Sequence, residues 1–229
     1  MRYFACAAMA ALCVPLAHAG RPLTTDDAGV LDRGTFELET YMFRSTERET
    51  PRTDGWHIHP AVGLGFNSQI GVGYGSDRSD GETSRGFELD GKTFIKELTD
   101  DSYGVAVSYG IGEAKAAGDN KYRYDTANVT AIVTVPVSDW LLHGNLGWGR
   151  SRLEGTTATN WALAAERPGA FGPVDLAFEV WGDDHAAAWG QIDARWNVIP
   201  ERLSLDCSFA QQADSQHAKM ITVGLKFTY

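Results

Sequence analysis

The stretch HAKMITVGLKFTY, His217 to Tyr229, decides how the rest of the chain is read. Ile221, Val223, Leu225, Phe227 and Tyr229 take every second position, and Met220, Thr222, Gly224, Lys226 and Thr228 fill the alternate set. A period of two describes a strand with two unlike faces. The pattern recurs upstream. In SYGVAVSYGIG, Tyr103, Val105, Val107, Tyr109 and Ile111 alternate with Gly104, Ala106, Ser108 and Gly110. In WLLHGNLGWGR, Trp140, Leu142, Leu146 and Trp148 oppose Leu141, His143, Asn145 and Gly147. Aromatics bracket aliphatics on the apolar face, the order expected of a strand that meets lipid between two interfaces.

Working outward predicts twelve strands, the first in GTFELETYMFR, where Phe36, Leu38, Thr40 and Met42 alternate with Glu37, Glu39, Tyr41 and Phe43. Ser45 to Gly55, DRSDGETSR (Asp77 to Arg85), EAKAAGDNK, a Gly/Thr stretch after Arg150 and QQADSQ read as longer polar loops. Asn67-Ser68, Thr99 to Asp101, Pro136 to Asp139 and Pro200-Glu201 read as short turns, and ERPGAFGP interrupts this alternation. Pro60 implies that the second strand starts after it or carries a bulge. An even count, with short turns at one end and longer loops at the other, is the layout of an all-β, closed antiparallel transmembrane β-barrel. About ten tilted residues per strand cross a bilayer, and an eight-stranded soluble barrel would leave several of these strands unexplained.

MRYFACAAMAALCVPLAHAG has one cation, a short apolar run and Ala17-His18-Ala19 as a small-x-small cleavage site, the layout of a secretory signal peptide. The expected organisation is signal peptide 1–19, periplasmic lead-in 20–33 and barrel 34–229, addressed to the bacterial outer membrane. Cleavage removes Cys6 and Cys13 and leaves Cys207, so the barrel must hold together without an internal disulfide. Lys and Arg number 20 against 30 Asp and Glu, a formal net charge of −10, which makes nucleic acid a poor partner.

In a barrel the polar face turns inward, because an Arg or Lys facing lipid at mid-depth costs about 2–4 kcal/mol. The expected lumen set is Glu37, Glu39, Glu88, Asp90, Lys92, Lys96, His143, Asn145, Asp175, Glu179, Asp193, Arg195, Asp206 and Lys226. Its acidic excess favours cations in an open passage; the alternative is that these charges pair across a narrow lumen and close it. Outer-membrane lipid hydrolases carry a His-x-Ser pair on one strand, but here His143-Gly144-Asn145 puts asparagine where the nucleophile would stand. An enzyme is not expected. His57 and His59 share a face but have no third metal ligand by spacing, and read as solvent-exposed. GLGFNSQIGVGYG lacks the helix that a phosphate-binding loop needs, so no cofactor is implied. The tryptophans read as interface anchors, with stacking on an aromatic solute as the lesser role.

The final stretch, Ile221 to Tyr229, resembles the closing strand of bacterial outer-membrane barrels, and that resemblance implies the barrel-assembly machinery as a partner, with Ile221, Val223, Leu225, Phe227 and Tyr229 as the insertion signal. TTDDAGVLDRGTFELE (Thr24 to Glu39) and LLHGNLGWGR (Leu141 to Arg150) resemble the outer-membrane family of MetA-pathway phenol-degradation proteins. The matching residues are Asp26, Asp27, Ala28, Gly34, Glu37, Leu38 and Glu39, then His143, Asn145 and Gly147. This resemblance implies a barrel that passes small molecules, aromatic or hydrophobic ones among them, across the outer membrane. The partners expected are thus outer-membrane lipid, the assembly machinery and a small-molecule solute. The other readings are a sealed structural barrel and a lipid-modifying enzyme.

Overall fold

The computed structural model describes residues 23–214 and 218–229; the expected signal peptide and residues 20–22 of the expected lead-in lie outside these. The strands are β1 (Phe36–Thr46), β2 (Thr53–Gly65), β3 (Ser68–Ser79), β4 (Glu82–Lys96), β5 (Gly104–Lys115), β6 (Arg123–Val137), β7 (Trp140–Ser151), β8 (Thr156–Phe171), β9 (Val174–Asp183), β10 (Trp189–Ile199), β11 (Leu203–Gln212) and β12 (Lys219–Thr228). Each pairs antiparallel with its sequence neighbours, and β12 returns to β1, giving a closed twelve-stranded barrel. At the seam Leu38 lies opposite Phe227 and Met42 opposite Val223, and Phe36 and Tyr229 exchange both backbone hydrogen bonds at 2.8 Å. Closure leaves no free sheet edge, which a membrane-spanning sheet requires.

The burial pattern is inverted relative to a water-soluble protein. Met42, Leu146 and Val223 are 72%, 61% and 60% exposed on the outer wall, while Glu39, Lys92, His143, Glu179 and Asp193 are buried inside. A continuous apolar exterior of this kind is unfavourable in water and matches lipid. Ile221, Val223, Phe227 and Tyr229 are all exposed, and Leu225 is half-buried on that same outer side.

Several connections differ from the sequence expectation. DRSDGETSR is not a loop: β3 and β4 pair along its length, from Asp77 opposite Ser84 to Ser79 opposite Glu82, and turn at Asp80-Gly81. Both turn residues have positive φ, 49° and 79°, the conformation that an Asp-Gly hairpin turn supplies. ERPGAFGP likewise continues β8 to Phe171, with a ladder irregularity between Arg167 and Phe171 and a tight turn at 172–173, so the interruption disappears. Pro60 neither starts nor bulges β2. Its pairing to Leu38 of β1 is kept; on the other side the ladder to β3 passes from Ile58–Tyr74 to Ala61–Gly71 without a register change. A proline with no N–H thus costs local ladder positions rather than the strand.

Candidate functional site

The lead-in, whose position the sequence leaves open between the periplasm and the barrel mouth, lies within the barrel. It runs round the inner wall near the end that carries the short turns, from β9 to β2. Leu23 packs with Ala164 and Ala177. Glu179 then accepts the Thr24 N–H at 2.8 and 3.0 Å, the Thr25 N–H at 2.8 Å and the Thr25 hydroxyl at 2.7 Å. Asp26 and Asn145 exchange bonds, the Asp26 N–H donating to Oδ1 at 2.6 Å and the amide Nδ2 donating to the Asp26 carbonyl at 2.8 Å. The Ala28 N–H donates to Thr134 Oγ1 at 2.9 Å, and its methyl packs on Ala106, Ile132 and Phe94. Leu31 N–H donates to Gln69 Oε1 at 2.8 Å. A non-periodic segment has no ladder partner for its N–H groups, and here wall side chains supply acceptors. Thr25, Asp26 and Ala28 are 0–1% exposed.

Three charge clusters line this end of the lumen, one of them on the lead-in itself. Lys92 Nζ lies 2.9 Å from Asp26 Oδ1 and donates to the Asp27 carbonyl at 3.1 Å. Opposite the lead-in, Lys226 meets Glu37 at 2.7 Å and Glu39 at 3.5 Å, and Arg195 meets Glu166 at 2.7 Å and Asp175 at 3.6 Å. Gln191 bridges Glu179 and Asp193, both at 2.7 Å. Glu88 takes a bond from Asn128 at 3.1 Å, Asp90 lies 2.7 Å from His59, and Asp206 is buried in register with Arg195. Most of the expected lumen set is therefore brought together on one inner surface, its cations each shared between acids.

Lys96 departs from that set. A register shift between Phe94 and Lys96 places it opposite Val105, where it caps the exposed Tyr103 ring at 3.4 Å and donates to the Tyr103 carbonyl at 2.6 Å. His57 and His59 also depart from expectation, being inside: His59 is 6% exposed beside Asp90, and His57 stacks on Tyr41 with centroids 4.9 Å apart. Trp181 and Trp189 face inward too, stacked at 5.9 Å on the lumen face of β9 and β10, in the half of the barrel nearer the loops. Glu166, Thr134 and Gln191 escaped the sequence reading. Glu166 follows Ala162 and Ala164 at the same parity, a signal hidden by its apolar neighbours.

His143 Nδ1 lies 3.0 Å from Thr134 Oγ1, and Nε2 lies 3.7 Å from Glu166 Oε2. A hydroxyl, an imidazole and a carboxylate thus stand in line, but Thr134 is 0% exposed beneath Ala28. With the lead-in seated, no acyl carbonyl reaches that hydroxyl.

Neither a protein-family model nor a curated protein sequence matches the chain. Solved structures do resemble its fold. An outer membrane channel from Pseudomonas putida F1 superposes with a TM-score of 0.62 at 8% identity, over 89% of this chain and 98% of that one. The NanC porin gives 0.59 at 8%, over 83% and 98%, and outer membrane phospholipase A from Escherichia coli 0.52 at 10%, over 93% and 95%. The fold is that of outer-membrane β-barrels, shared by channels and a lipid hydrolase alike.

Proposed function

We propose that the chain is an outer-membrane channel for small molecules, kept shut near its periplasmic end by its own lead-in. The observation that carries this reading is the seating of Thr24 to Leu31 against wall side chains of β3, β4, β6, β7 and β9. A segment held by hydrogen bonds and the ion pairs of Lys92 with Asp26 and Asp27, with small apolar contacts, is a removable stopper rather than a packed core. Solute in transit meets Tyr41, Phe43 and His57, and Trp181 with Trp189, in the half of the lumen nearer the loops. These rings favour planar, aromatic or hydrophobic solutes.

Kinship with the MetA-pathway phenol-degradation family is part of this proposal. Its support is that the two stretches carrying the resemblance touch: Asp26 bonds to Asn145, and Ala28 bonds to the hydroxyl beside His143. Acyl transfer is the weaker reading, because asparagine follows His143 at the expected nucleophile position and Thr134 is covered. Planar-bilayer recording tests the proposal. The full chain should give rare openings, and a variant lacking residues 23–31 a sustained conductance; silence from both, in folded barrels, would leave a sealed structural barrel.

A further inference from the structure

We propose that the outer wall of β4 to β7, at the loop end, binds a phosphorylated glycolipid of the outer leaflet through Arg85, Lys115, Arg150 and Arg152. This rests on the outer-membrane reading, since it needs the loop end to lie at headgroup level. Arg85 stands directly opposite Lys115 across the β4–β5 ladder. Like charges so placed repel unless an anion lies between them. Among the described residues, neither of these two nor Arg150 has a carboxylate within ion-pair distance. Some other cations at the loop end are matched: Arg44 and Arg52 by Asp54 at 2.6 and 3.1 Å, and Arg123 by Asp119 at 3.8 Å.

The depth also fits. Arg150 follows the exposed Trp148 by two positions on the outward face, and Arg85 precedes the exposed Phe87 by two. The cations therefore lie roughly 7 Å along the strand beyond the aromatic band, where headgroups begin. Between β6 and β7 a cavity of about 360 Å³ is lined by Tyr124, Asp125, Ala127, Arg150 and Arg152. Asp125 also lines it, its Oδ1 accepting the Ser151 hydroxyl at 2.8 Å and the Leu153 N–H at 2.9 Å; its single charge offsets one of the two arginines and leaves the cavity positive. The Arg152 guanidinium is held 5.6 Å over the Tyr124 ring. Glu113, cross-strand from Tyr124, separates this pair of arginines from Arg85 and Lys115. Two anion positions on one wall suit a ligand with two phosphate groups, and guanidinium matches phosphate with paired hydrogen bonds. Below them the exposed Phe87, Leu89, Ile111, Val129 and Leu146 offer an apolar surface for acyl chains, which free phosphate cannot use.

Native mass spectrometry of the full chain in detergent tests this, with bisphosphorylated lipid A, its dephosphorylated form and inorganic phosphate as probes. Lipid A should be retained at least ten-fold better than the dephosphorylated lipid, with inorganic phosphate not retained. The variant R85Q/K115Q/R150Q should lose that preference, and K219Q, on the far side of the barrel, should keep it. Equal retention of both lipids, or unchanged preference in the triple variant, would overturn the proposal. Retention of inorganic phosphate in place of the lipid would reduce the site to an adventitious ion only and overturn it too. The two-lipid comparison on the unaltered chain decides the matter even where the variant fails to fold. Recovery of the chain in soluble extract would sink the membrane reading itself, whereas lost discrimination in a membrane-embedded barrel sinks this proposal alone.

Discussion

At the residue scale, Lys92 is the pin. Its ammonium joins the buried Asp26 carboxylate to the barrel wall, and removing one partner of a buried pair costs about 3–5 kcal/mol because the other is left unpaired. Lys92→Gln should therefore loosen the lead-in without opening the barrel, seen as hydrogen exchange at least ten-fold faster at the Asp26 and Ala28 amides. Unchanged exchange there would show that Asn145 and Glu179 hold the segment without it. A second residue titrates outside the membrane. His185 sits beside Asp184 and its ring bonds to the Thr157 carbonyl at 2.8 Å; that carbonyl first, then the Asp184 charge, raises its pKa above the ordinary imidazole value. The protonated ring is favoured in the fold, so the stabilisation it adds is fully present below the ordinary imidazole pKa and is lost as pH rises through the raised one. An NMR titration should place the midpoint above that of a histidine in a disordered peptide, and Asp184→Asn should lower it. Residue identity was legible from sequence where charge marked it. Glu179, Lys92 and Arg195 stand out on alternating strands, whereas Thr134 and Gln191 carry no charge and Glu166 is masked by Ala162 and Ala164.

At the scale of the element, alternation revealed the strands because lipid and lumen impose opposite demands on successive side chains. It could not place the lead-in, whose Asp, Thr and Gly residues have no period and whose partners come from strands far away in sequence. Nor did polarity distinguish a loop from a hairpin: Asp77 to Arg85 is polar because it extends past the lipid, and its Asp80-Gly81 pair was the better guide. Gly63 ties lead-in to wall. A Cβ there would fall on the carbonyl oxygens of Leu31 and Asp32, while Gly63 exchanges bonds with Gly34 N–H and the Thr35 carbonyl at 2.8 and 3.0 Å. Gly63→Ala should displace residues 31–34 while leaving β2 paired. Protease sensitivity within the lead-in should rise several-fold, with the folded barrel still shifting its gel mobility on heating; a resistant lead-in would contradict the close approach.

On the scale of the whole molecule, the barrel is a lipid-matched cylinder whose interior charge is acidic, and its lead-in occupies the inner wall near the end that carries the short turns. Once the lead-in is removed, the acids remaining around Arg195 and Lys226 should set the selectivity. A reversal potential in a salt gradient should show cation preference in the variant lacking residues 23–31, and anion preference would reverse the sign assigned to the lumen. The most direct test asks whether the lead-in itself is the closure. Cysteines at Ala28 and Ala106, which pack together at zero exposure, can be joined in a background where Cys207 is replaced by Ser. Single-channel recording of the oxidised barrel should show no openings, and reductant should restore those of the unmodified chain. Openings that persist at full amplitude with the cross-link verified by mass would mean that solute passes elsewhere and that the lead-in does not close this barrel.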